Sequence, residues 1–159
     1  MKKYIINATT LLVSLSLGAT LLYAANVHFK SGPAFTDNGT TLTTCAALAG
    51  LGNQDVTITV TTSGSGSTTC TSPGGNVAPG QNKVAVSASV SQTINASQVK
   101  NGNVSFCQTT PPPAAITGTQ AGCPNDHWTA TISDVVFTSA TITVVQNGQV
   151  VLQQTFSAP

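Results

Sequence analysis

The sequence predicts an all-β protein: a single antiparallel β-sandwich, immunoglobulin-like or related, stapled by disulfides and made behind a cleaved signal peptide. Three observations lead there. Apolar residues alternate with Thr and Ser over short spans instead of recurring at helical intervals. Gly, Pro and Asn-Gly pairs interrupt those spans at the spacing of sandwich turns. Cys45, Cys70, Cys107 and Cys123 form the even set expected of an exported, oxidised chain.

Residues 1–24 read as the signal and 25–159 as the domain. Met1-Lys2-Lys3 precedes an apolar run from Leu11 to Leu22, with small residues at Ala24 and Ala25. A membrane-spanning helix needs roughly 20 apolar residues, so a permanent anchor fits this run less well. Cleavage is expected after Ala24 or Ala25. No cysteine follows the run in the position of a lipoprotein, and the C-terminal residues carry no hydrophobic tail. The expected destination is secreted or extracellular, with the periplasm or cell surface included and no membrane contact after cleavage.

Along the domain, Asn38-Gly39 gives a first turn signal. Thr44 to Leu51 has Cys45, Leu48 and Leu51 at helical spacing, but the span is short and reads as loop or strand. From Asp55 to Thr62, Val56, Ile58 and Val60 share one face and threonines the other, the pattern of a half-buried strand. Thr61 to Thr69, with Ser63-Gly64-Ser65-Gly66-Ser67, reads as a flexible hairpin tip. Ser72 to Asn82 and Thr110 to Pro124 read as ordered loops, their prolines and glycines unsuited to a sheet interior.

Val84, Val86, Ala88 and Val90 alternate with small residues as a further strand, and Val104 with Phe106 makes a shorter one after the Asn101-Gly102 turn. Ala140 to Gln146 and Gln149 to Phe156 flank Asn147-Gly148, which suits the two positive φ angles of a type I′ hairpin.

Four cysteines allow three pairings. Cys45 with Cys70 and Cys107 with Cys123 is the expected set, because each closes a local excursion of the chain. A metal site is disfavoured: no pair has Cys-x-x-Cys spacing, and only His28 and His127 could assist. No cofactor is expected.

Without residues 1–24, three lysines stand against four aspartates, and arginine and glutamate are absent. Nucleic-acid binding requires clustered Lys and Arg, which three scattered lysines cannot supply. A charged fraction of 6% is far below the roughly 25% of ordinary soluble domains. The surface must therefore be kept wet by Thr, Ser, Asn and Gln, with little charge repulsion to prevent association.

Ala49-Gly50-Leu51-Gly52-Asn53, then Cys70-Thr71-Ser72-Pro73-Gly74-Gly75-Asn76-Val77-Ala78-Pro79-Gly80-Gln81-Asn82, then Gly122-Cys123-Pro124-Asn125-Asp126-His127-Trp128 carry a resemblance. In these stretches the chain resembles a group of small exported bacterial β-rich proteins of unassigned function. The resemblance extends to the closing hairpin. It implies export and a β-rich domain, and it brings no catalytic or ligand-binding assignment.

Hydrolase chemistry needs paired carboxylates, or a nucleophile with a base and an orienting group. Asp126 and His127 are neighbours in sequence, but no nucleophile elbow singles out a serine. No enzyme activity is expected. Asp126, Asp134, Asn125 and Asn76 lack the spaced loop of a calcium site and read better as turn residues. The Asn-x-Ser/Thr triplets at Asn38, Asn95 and Asn103 carry no weight as glycosylation signals in a bacterial chain.

The expected role is a non-catalytic structural or adhesin-like domain of the cell surface or extracellular matrix. The alternative is a carbohydrate-binding module, with Trp128, Asn125, Asp126 and His127, and Asn76 nearby, taking an extracellular polysaccharide. A second expected partner is another copy of the chain: Gln149 to Phe156 holds no lysine, the usual guard of an exposed strand edge.

Overall fold

A computed structural model describes residues 26–158. The expected signal peptide, 1–24, lies outside the described residues. Eight strands run in the order β1 (His28–Asp37), β2 (Leu42–Ala49), β3 (Val56–Thr71), β4 (Val77–Pro79), β5 (Val84–Ile94), β6 (Val104–Thr109), β7 (Thr129–Gln146) and β8 (Gln149–Ser157). One helical turn, α1 (Gly118–Ala121), and a 3₁₀ turn, Ala96–Gln98, complete the described elements.

Two antiparallel sheets result. The smaller has the order β1-β2-β6, and the larger runs β4-β3-β7-β8 with β5 also paired to β3. β5 takes Val56 to Gly66 of β3, and β4 takes Thr69 to Thr71, so the two follow one another along a single side of that strand. β7 occupies the other side of β3 throughout.

The alternation read in the sequence sets which face is buried. Val56, Ile58 and Val60 are fully buried, with the intervening threonines half-exposed. One apolar cluster joins these to Ile142 and Val144 of β7 and, from the smaller sheet, to Ala46, Leu48, Val104 and Phe106. A second cluster gathers Leu42, Val86, Val135, Phe137 and Ala140.

Between the two clusters lies a polar belt. Along β2 the inward positions are Leu42, Thr44, Ala46 and Leu48; along β6 they are Val104, Phe106 and Gln108. Thr44 and Gln108 are direct cross-strand partners, and Thr62 and Thr110 are buried as well. Gln108 Nε2 donates to the Ile58 carbonyl at 3.2 Å, and Thr110 Oγ1 accepts from the Leu42 amide at 3.1 Å. Thr44 Oγ1 and Gln108 Oε1 have no protein partner. An unpartnered buried polar atom costs stability.

Several expectations are corrected. Thr61 to Thr69 is not a flexible tip but the middle of the 16-residue strand β3. Its glycines lie where neighbours press closest: a Cβ on Gly64 would meet the Val136 carbonyl oxygen at 2.5 Å, and one on Gly66 would meet Ile132 Cγ2 at 3.0 Å and Val86 Cγ2 at 3.1 Å. They are small because β5 and β7 cover them. The loop Ser72 to Asn82 contains β4, which pairs with the end of β3, and the loop Thr110 to Pro124 contains α1, capped by the Thr117 side chain. Thr44 to Leu51 falls largely within β2, as strand.

The disulfides join Cys45 to Cys107 and Cys70 to Cys123, not the sequence-local pairs. Cys45 and Cys107 are cross-strand partners because β2 pairs with the distant β6, so strand order decided the pairing. Loop length did not. The second bond ties buried Cys70 of β3 to the segment just after α1.

Candidate functional site

The side of the larger sheet turned away from the core carries a regular field of hydroxyls. Across β5, β3, β7 and β8 one register row reads Ser91, Thr59, Thr143, Gln153, and the next reads Ser89, Thr61, Thr141, Thr155. A third row adds Ser87, Ser63, Ser139 and Ser157. Many of these groups satisfy each other: Thr57 with Thr93, Thr59 with Ser91 and Thr61 with Ser89 at 3.0 Å, and Thr141 with Thr155 at 2.8 Å. None of the residues in these rows is charged. Cross-strand Thr and Ser pairs of this kind stabilise a sheet, and they leave a face that is polar yet electrically neutral.

The strand edges differ sharply in how they are protected. β1 carries Lys30 and Pro33 and two irregularities of register, between Phe29 and Ser31 and between Ser31 and Ala34. β4 has three residues and ends on Pro79, and β6 has only six residues. Lysine, proline, bulges and shortness are the usual devices against edge pairing. β5 and β8, the outer strands of the larger sheet, run for eleven and nine residues with no charge and no proline, and β8 has one irregularity of register against β7, between Val144 and Val145. Val150 of β8 is 60% exposed.

The residues expected to bind sugar come together only in part. Asn125, Asp126 and His127 are exposed and Trp128 is half-buried. Their turn is held by the Trp128 amide donating to the Asn125 carbonyl at 3.2 Å and the His127 amide donating to Asn125 Oδ1 at 3.0 Å. Asp126 Oδ1 accepts from Thr119 Oγ1 at 2.8 Å. These are the turn duties expected of Asn and Asp. Asn76 stands apart: Thr71 pairs with Val77 on one side and Thr129 on the other, which puts Asn76 and Trp128 about two strand spacings from each other.

Two shallow grooves lie at the opposite end, beside the 3₁₀ turn. One is lined by Gln92, Gln98, Lys100, Asn103 and Ser105, the other by Asn53, Asp55, Thr93 and Asn147. Among the described residues no three His, Cys, Asp or Glu side chains gather as a metal set. A hydroxyl-rich, weakly charged surface was legible in composition, but which strands stand at the edges follows only from topology. No family model matches the chain, and no curated protein matches it.

Proposed function

We propose that this protein is an exported, non-catalytic structural domain, adhesin-like in that it works by contact, with its two sheets stacked as a β-sandwich. The observation that carries this reading is the larger sheet itself. It presents a charge-free field of mutually bonded hydroxyls, bounded by two long strands without charge or proline. Such a surface offers area and backbone hydrogen-bonding groups, and it offers no group poised for proton transfer or nucleophilic attack.

Export agrees with the two disulfides, since such bonds persist in oxidising compartments. Residues 1–24 would direct it there. The test is cell fractionation of the tagged chain with and without residues 1–24. The full chain should be recovered outside the cytoplasm, shortened at its N-terminus and fully oxidised, and the truncated chain should stay inside. Recovery of the full chain from the cytoplasm with reduced thiols would overturn the reading.

A further inference from the structure

We propose that the partner of this surface is a second copy of the chain, joined edge to edge, with β8 of one copy pairing antiparallel to β5 of the next. The inference rests on the contact reading above and names its partner.

Strand direction supports this joint. β5 is antiparallel to β3, β3 to β7, and β7 to β8, so β5 and β8 point in opposite directions at the two borders of one sheet. A copy displaced sideways without rotation therefore brings its β5 against β8 in the antiparallel sense. The ladder continues in strict alternation. The hydroxyl rows would run on from one copy to the next on the same side.

Protection is selective in the same sense. Of the other exposed strand borders, β1 carries Lys30 and Pro33, β4 is three residues long and ends on Pro79, β6 is six residues long, and β7 beyond its β8 pairing carries the charged Asp134 and a bond from the Val135 amide to the Gly39 carbonyl at 2.9 Å. β5 and β8 are the two longest borders without charge or proline, and they are the pair whose directions let them meet. No backbone hydrogen bond from elsewhere in the described residues reaches the outer side of either. A head-to-tail joint of this kind does not close on itself, so it generates an open chain of copies.

The test uses the protein as exported by the cell, compared with Val150→Lys on β8 and Ser87→Lys on β5. Both positions are exposed, and circular dichroism checks that each variant keeps its fold; Gln153→Lys replaces Val150→Lys if that variant does not. Sedimentation velocity across a wide dilution series should show the native mass rising several-fold with concentration. Each variant alone should remain a monomer, and an equal mixture of the two should form dimers, because one intact β8 then meets one intact β5. A native protein that is monomeric throughout overturns the proposal, even when fractionation shows it exported. Dimers of either variant alone would overturn the β8-to-β5 joint, since they require like edges to pair.

Discussion

Cys45 and Cys107 are bonded across directly paired positions of β2 and β6, on the face of the smaller sheet turned away from the core. Cys107 is exposed, whereas Cys70 in the other bond is fully buried. Thiol–disulfide exchange requires access to sulfur, so a mild dithiol should open Cys45–Cys107 first. Peptide mapping after partial reduction and alkylation should find label at those two positions before Cys70 and Cys123. Loss of Cys70–Cys123 should cost about 2–5 kcal/mol, as for native bonds in small secreted domains.

Gly64 tests the packing of β3. Gly64→Ala forces a Cβ against the Val136 carbonyl and Phe137 Cα, and overpacking of this kind costs about 1–3 kcal/mol. Gly74→Ala, where the nearest atom would be 3.9 Å away, should stay within about 0.5 kcal/mol of the parent. Urea midpoints at unchanged slope measure both.

Thr44→Val replaces a buried hydroxyl that has no partner with a methyl of similar size. The expected change is stabilisation of about 1 kcal/mol, since nothing is orphaned and a desolvated polar atom is removed. Gln108→Leu should behave differently, because it also releases the Ile58 carbonyl from the Gln108 amide. Thermal unfolding of the two variants separates them.

Trp128 is half-buried, and its turn is closed by bonds among its own residues. Its fluorescence should be blue-shifted from that of free indole and should not change on adding soluble polysaccharides. A saturable shift with any of them would favour the carbohydrate-binding alternative.

The closing hairpin was readable because its turn chemistry is local. Asn147 and Gly148 take φ angles of 57° and 71°, as a type I′ turn requires. Period-two alternation likewise marked the buried faces of β3, β5 and β6. The disulfide pairing and the middle of β3 were not readable, for one shared reason. Both depend on which distant strand lies alongside: β6 beside β2 sets the partner of Cys45, and β5 and β7 on either side of Gly64 and Gly66 turn a flexible-looking stretch into the centre of a sheet. Asn76 failed to join Trp128 for the same kind of reason, with Thr71 standing between their strands.

Hydrogen exchange of the strand amides at low and high protein concentration tests the central claim most directly, because strand addition must bury the outward amides of the pairing edges. The account predicts that exchange in β5 and β8 slows as concentration rises while β1, with Lys30 and Pro33, exchanges at the same rate throughout. Exchange in β5 and β8 that is unchanged across the concentration range would contradict it.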